Sequence, residues 1–372
     1  MRVAVPTETK PEEYRVAVTP AGVRELVADG HEVVVQAGAG LASDITDEDF
    51  RRVGARITDD VDALWHWAGL ICKVKEPQPP EIARLREGQV LFAYLHLAPD
   101  EAQTRGLLAS GASCVAYETV TDDQGRLPLL APMSAVAGRL SAQIGARLLE
   151  GIHGGRGLLM GGVPGVPAAR VLVIGAGVVG SNAIRVALGM GADVTVLDVD
   201  LDRLAHLDAR FGAALTTRHS SRLAVEESLA RADLVIGAAL VPGALTPQLV
   251  SRDQLRLMPR GAALVDVAID QGGCFATSHP TTHHDPTYWV DDVLHYCVAN
   301  MPSAVAATAT RALANATQPY LVRLANGGID GLTTDHQLRA GLNVHRGMVT
   351  NAAVAAAHGM EHVRADEALL ED

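Results

Sequence analysis

Lysine is nearly missing from this 372-residue sequence. Lys10, Lys73 and Lys75 are the only three, so arginine supplies the rest of the strongly basic side chains. A bias of that kind reads as genomic. Two lysines within three positions are therefore informative, because lysine is a compact point charge whose pKa burial can move, a role arginine does not fill. Cysteine is scarce too. Cys72, Cys114, Cys274 and Cys297 are scattered, with none at metal-ligand spacing. This excludes a disulfide framework and predicts buried thiols of a cytoplasmic protein. No apolar run is long enough for a membrane-spanning helix. The opening Met-Arg-Val-Ala-Val-Pro-Thr-Glu-Thr-Lys lacks the apolar core of a signal peptide. Net positive charge is absent as well: the formal charge is −12, which argues against nucleic acid and anionic membranes as partners. There is no internal repeat and no low-complexity tract.

What is present reads as soluble and globular, with 48% hydrophobic and 20% charged residues. The length exceeds one ordinary core and predicts two domains. The stretch around residues 170–198 organises the chain. Val171–Ile174 is a short apolar run rich in β-branched residues, suited to a strand buried on both faces. Gly175, Gly177 and Gly180 follow in G-x-G-x-x-G spacing, then Ala183, Ile184, Ala187 and Leu188 recur at helical intervals. A second apolar strand runs from Val194 to Leu197 and Asp198 closes it. This is the pattern of a dinucleotide-binding unit. The first glycine permits a tight turn, the second lets backbone approach a pyrophosphate, and the third lets helix pack on strand. Phosphates sit at the helix N-terminus, where free N–H groups favour anions. Asp198 stands where a carboxylate binds the ribose 2′-hydroxyl and repels a 2′-phosphate, so the expected cofactor is NAD.

Strands are expected at residues 2–6, His31–Gln36, Leu70–Lys75, Val90–Leu97 and Ser113–Val120, with Thr19 and Pro20 opening a helix between the first two. Residues 44–68 read as a polar helical stretch. Pro128–Glu150 reads as a long helix joining the domains. The dinucleotide fold continues through Leu234–Gly237, Ala263–Ala268 and Leu294–Ala299. Residues 303–325 read as an alanine-rich helix, and the remainder to about Gly359 as helical, packing back on the first domain. The expected fold is α/β: two domains, each a mainly parallel sheet with flanking helices, the second a Rossmann fold. The first, discontinuous, comprises residues 1–128 plus 307–372; the second comprises 129–306. The active site is expected in the cleft between them.

In open parallel sheets ligands bind beyond the C-terminal strand ends. Lys75 and His96 sit at such ends in the first domain, and Asp270, beside Gly272–Gly273, in the second. Val298-Ala299-Asn300-Met301-Pro302 ends the last strand and reaches toward a nicotinamide. Arg15, in a loop before a capped helix, suits a bidentate grip on a carboxylate. One planar anion clamp, one amine, one imidazole and one carboxylate facing a hydride acceptor suit oxidation at the Cα of a small amino or hydroxy acid. Each has a plainer alternative: a surface ion pair for Arg15, a strand end for Lys75, a core histidine for His96, a turn cap for Asp270. Asp266, mid-strand, reads as structural. Glu118 is a minor candidate for a substrate or metal contact. His283 and His284 point apart in extended chain, and no metal is expected.

Ordered blocks along nearly the whole chain resemble the alanine dehydrogenase family. They include Arg15-Val-Ala-Val-Thr-Pro, Lys73-Val-Lys-Glu-Pro, His96-Leu-Ala, Leu-Pro-Leu-Leu-Ala-Pro-Met-Ser134, Asp266-Val-Ala-Ile-Asp-Gln-Gly-Gly and Val-Ala-Asn-Met-Pro302. No family motif is recognised after about Gly327. The resemblance implies reversible NAD-dependent oxidation of L-alanine to pyruvate and ammonia. It implies that Arg15 and Lys75 bind substrate, that His96 is the acid/base group and that Asp270 is a second catalytic group. Ser134, Val178, Asp198, Arg203, Ser220, Leu240, Val267–Asp270 and Val298–Met301 are implied to contact NAD. It further implies a homo-oligomer, usually a hexamer. Two alternatives are the NAD-binding component of a proton-translocating transhydrogenase and a non-catalytic NAD-binding module. The histidine at 96 and the Val-Ala-Ile-Asp-Gln-Gly-Gly block argue against the first. The intact set of four chemical groups argues against the second.

Overall fold

The computed structural model describes residues 1–239 and 246–370. The chain divides into two compact units, Met1–Met133 with Ser303–Asp372, and Ser134–Pro302. The expected boundaries after residues 128 and 306 differ from these by a few residues.

In the first unit the strands are β1 (Arg2–Val5), β2 (Glu32–Gln36), β3 (Arg56–Thr58), β4 (Leu70–Cys72), β5 (Val90–Ala93) and β6 (Ser113–Ala116). The second unit supplies β7 (Arg170–Ile174), β8 (Asp193–Asp198), β9 (Leu215–His219), β10 (Leu234–Gly237), β11 (Ala263–Asp266), β12 (Thr287–Val290) and β13 (Val293–Tyr296). The chain then returns to the first unit with β14 (Leu342–His345) and β15 (Met348–Val349).

The first sheet runs β15-β14-β6-β5-β4-β1-β2-β3 and the second β12-β13-β11-β10-β7-β8-β9. Pairing is parallel from β3 through to β6 and from β9 through to β13. It turns antiparallel at β14, β15 and β12. Each sheet thus has a doubly wound core that reverses direction beside its own first strand, β1 or β7. The central strands β4, β5, β6, β10 and β11 are buried along their whole length, as strands covered on both faces require. All four cysteines are buried and free, and burial pushes the Cys114 thiol up to about 12.

The expected helix over 44–68 is instead two short helices, Asp47–Arg52 and Val61–Trp67, separated by β3. β3 is an edge strand of three residues, Arg-Ile-Thr, none of them fully buried, so it carries no apolar signature. The expected strand 113–120 ends at Ala116 and turns into a 3-10 segment. The tail after Gly327 was expected to be helical. It does carry helices at His336–Ala340, Ala352–His358 and Ala365–Ala368 within the first unit, but it also places β14 antiparallel against β6, so the C-terminal segment extends the first sheet. Asn343 and His345 within β14 break the apolar pattern, yet both are buried. Their polar atoms are satisfied locally: Asn343 donates to Thr119 Oγ1 at 2.6 Å, and His345 Nδ1 meets Ser113 Oγ at 2.8 Å.

Candidate active site

The first unit gathers its candidates at the C-terminal ends of β1, β4 and β5. Chain leaving β1 carries Glu8. One of its oxygens receives the Val74 N–H at 2.6 Å; the other receives the Lys75 N–H at 3.3 Å and faces Lys73 Nζ at 2.9 Å. Lys73 is fully buried and also pairs with Glu81 at 3.0 Å. Burial pushes the Lys73 ammonium down, but two carboxylates outweigh it and hold the ammonium charged. Lys75 is buried as well, and its charge acts on the next residue, Glu76. Burial pushes the Glu76 carboxyl up. His96, Lys75 and Lys10 together overcome that and hold it well below the usual carboxylate range. Lys10 and Glu76 form a direct ion pair. The lysines thus serve two charge clusters, Lys73 with Glu8 and Glu81, and Lys10 and Lys75 with Glu76.

His96 lies just past β5, its side chain about one-third exposed, with Nδ1 3.4 Å from Glu76 Oε2. Its ring stacks on Tyr94, with centroids 5.8 Å apart. Among the described residues, Glu118 forms no ion pair with a lysine. Its carboxylate instead accepts the backbone N–H groups of Leu95 and His96, the latter at 2.6 Å.

Arg15 is buried and gripped by Glu13. Nε donates to Oε1 at 2.7 Å and Nη2 to Oε2 at 2.5 Å, while Nη1 lies 2.9 Å from Met133 Sδ. The Nε/Nη2 edge of the guanidinium is thus engaged by the protein itself. The Arg15 loop is pinned by the long helix Ala306–Gly327 and the residues before it. Ser303 Oγ accepts from Tyr14 N–H at 3.0 Å, and Thr310 Oγ1 accepts from Val16 N–H at 3.1 Å. This is a tertiary reason for the C-terminal segment to belong to the first unit.

The second unit builds a cradle of another kind. Gly175 has φ +109°, and a Cβ there would sit 2.7 Å from the Ala238 carbonyl oxygen. A Cβ on Gly180 would lie 1.8 Å from the Gly175 oxygen, so only glycine lets the helix Val178–Gly189 close on β7. At Gly177, the N-cap, a Cβ would meet nothing within 4 Å. That open side, next to a helix N-terminus with no side-chain cap, is where a pyrophosphate fits. Asp198 is buried at the end of β8. Its Oδ2 accepts the Ala176 N–H at 2.5 Å and its Oδ1 the Asp200 N–H at 2.8 Å. Each oxygen keeps a further lone pair for ribose hydroxyls. These residues fit a dinucleotide.

Around this cradle, Ser220 donates its N–H to the Asp198 carbonyl at 2.8 Å. Arg203 pairs with Asp200 at 3.2 Å, and Val178 is exposed beside the glycine turn. Val267 donates its N–H to the Gly237 carbonyl at 3.0 Å. Asp270 is exposed, and its Oδ1 accepts the Asn300 N–H at 3.3 Å, bringing the two expected loops together. Asn300 holds φ +59°. Val298 and Met301 are buried, which leaves mainly backbone for Val298 to offer. Ser134 is half-buried in the helix Ala131–Leu148. Leu240 lies outside the described residues. Asp266 ties its own loop, accepting from Ala268 and Cys274 N–H and from Ser278 Oγ.

Two family models cover this chain: the N-terminal domain of alanine dehydrogenase/PNT over residues 4–137 and its C-terminal domain over 141–352. The chain belongs to the alanine dehydrogenase/PNT family. Within that family it is 58% identical to the alanine dehydrogenase of Halomonas elongata, over 98% of this chain and 99% of the relative. It is 55% identical to that of Mycobacterium tuberculosis, over 97% of each chain. Among solved structures, an L-alanine dehydrogenase superposes with a TM-score of 0.93 at 45% identity, over 96% of this chain and 99% of that one. A transhydrogenase from Sinorhizobium meliloti superposes at 0.79 and 29%, over 95% of this chain and 100% of that one.

Reasoning from the sequence did not single out Glu8, Glu13 and Glu76, which hold the alanine dehydrogenase/PNT candidates in place. A signal for two of them was present. Glu8 precedes Lys10, and Glu76 follows Lys75, in a chain with almost no other lysine.

Proposed function

We propose that this chain catalyses the reversible NAD-dependent oxidative deamination of L-alanine to pyruvate and ammonia. The observation that carries this reading is full-length identity of 58% with an alanine dehydrogenase, set against 29% with a transhydrogenase.

Arg15 supplies positive charge for the substrate carboxylate. Lys75 faces the carbonyl oxygen and stabilises the negative charge that develops there. When bound, NAD supplies the hydride acceptor, held by the glycine turn, Asp198 and the helix N-terminus. His96 takes the proton released from the amine side. It then moves protons as water adds to the imine and ammonia leaves, work suited to an imidazole near neutral pH. Asp270, held by Asn300, orients the water or the amine. A small site for the methyl group discriminates weakly, because one methylene changes binding by only about 1–3 kcal/mol. Larger amino acids are therefore expected to react more slowly. A homo-hexamer and a cytoplasmic location complete the reading, and sizing by light scattering tests the former.

The test is NAD reduction with L-alanine at alkaline pH, together with the reverse reaction from pyruvate and ammonium. Wild type is expected to turn over in both directions and His96→Ala to lose about two to four orders of magnitude in kcat. Wild type that binds NAD yet oxidises no amino acid overturns the reading.

A further inference from the structure

His96 occupies a backbone conformation that an L side chain rarely adopts, with φ +48°. Such a residue persists only where its surroundings over-determine it. Here they do so from three directions. Glu118 accepts the N–H of His96 at 2.6 Å and that of Leu95 at 3.1 Å and 3.2 Å, one carboxylate closing two successive amides. Gln103 Nε2 donates to the Leu95 carbonyl at 2.7 Å, fixing the far side of the same turn. The ring meets Tyr94 on one face and Glu76 at its edge. Among the described residues, the buried Glu76 Oε2 has no hydrogen bond of normal geometry, and its nearest partner is His96 Nδ1 at 3.4 Å. Lys10 holds the other Glu76 oxygen.

We infer that Glu118 and Glu76 are positioning residues for His96. Glu118 locks the main chain in the left-handed turn that presents the imidazole. Glu76 faces Nδ1–H, which selects the tautomer that leaves Nε2 to exchange the substrate proton. This inference rests on the acid/base role of His96 proposed above. Neither carboxylate needs to touch substrate. The titratable groups around the ring are Glu76, with Lys10 and Lys75 behind it, Tyr94 beneath it, and Glu118 at its amide.

The experiment compares wild type, His96→Ala, Glu118→Leu and Glu76→Gln in both reaction directions across pH. Leucine removes both acceptors. Displacing His96 by a fraction of an ångström is expected to lower kcat about 10- to 100-fold while the KM for pyruvate stays within about twofold, because the carboxylate site is intact. Should Glu118→Leu fail to fold, Glu118→Gln is the substitute. It exchanges charge-assisted bonds for neutral ones about half as strong, and is expected to lose about threefold or more in kcat. Glu76→Gln is expected to lower kcat and also to change the pH profile of alanine oxidation. A purely structural role leaves that profile as it is in wild type. If His96→Ala stays active, the acid/base reading fails and takes this inference with it. If His96→Ala is inactive but the Glu118 and Glu76 variants keep the wild-type kcat and pH profile, the inference fails alone.

Discussion

The two candidate regions solve opposite problems with opposite materials. The region at the ends of β1, β4 and β5 is built from buried charges: Lys73 between Glu8 and Glu81, Arg15 on Glu13, and Glu76 among Lys10, Lys75 and His96. The region at the end of β7 is built from side chains that are missing. Gly175 and Gly180 let backbone pack closely and Gly177 faces open space, which leaves backbone to meet a ligand. A small substrate offers one carboxylate and one amine or carbonyl, so it is recognised by point charges held rigidly in low dielectric. A dinucleotide offers phosphates over a long reach, which suit a row of N–H groups and a helix end. The first solution puts charged groups under desolvation and is costly to break. The second puts the stress into sterics, at single positions.

That contrast is tested most severely at Lys73. Lys73→Met strands two buried carboxylates, Glu8 and Glu81, and is expected to cost about 3–5 kcal/mol by chemical denaturation. A loss below about 1 kcal/mol would show that the charge network is incidental to the unit.

The glycine turn gives the next largest effect and a split between neighbours. Gly180→Ala forces a Cβ into the Gly175 carbonyl, and overpacking of this kind costs about 1–3 kcal/mol or more. Gly177→Ala meets open space, so it is expected to cost about 1 kcal/mol or less as an N-cap change and still to weaken NAD binding sharply. Denaturation alongside calorimetric titration with NAD separates the two. Equal losses of stability would remove the distinction between a packing glycine and a ligand-facing one.

The smallest effect is a pH dependence confined to the charged region. The Glu76 carboxyl is depressed in the folded chain. Its stabilisation is present above its ordinary value of 4.5 and is lost as pH falls below that value toward the folded one. The melting-temperature difference between wild type and Glu76→Gln is therefore expected to shrink as pH falls from neutrality to about 3. A difference that stays constant would mean that Glu76 stabilises through packing rather than charge.

The dinucleotide region was legible almost residue by residue. Its glycine spacing, its flanking strands and the terminal Asp198 are contiguous, and the physics that demands them is local. The charged region was legible only in its actors. Arg15, Lys75 and His96 stood out by residue type and by place at strand ends. Their partners did not, because Glu13, Glu76 and Glu118 carry no periodic signature and act across the fold: Glu118 reaches His96 from 22 residues away. Edge strands escaped for a related reason. β3, β9 and β12 are short and half-exposed, so alternation is diluted by polar residues.

The sequence by itself determined the α/β class, the parallel core strands, the dinucleotide turn and the family to which the chain belongs. These follow from apolar periodicity and glycine spacing, which are local consequences of backbone geometry. Only the tertiary structure decided that the C-terminal segment adds β14 and β15 to the first sheet, that Ser303 and Thr310 pin the Arg15 loop, and that Lys73 sits between Glu8 and Glu81 while Lys10 pairs with Glu76. Those arrangements satisfy buried polar groups, and a buried polar group takes its partner from whatever the fold brings near, regardless of separation along the chain.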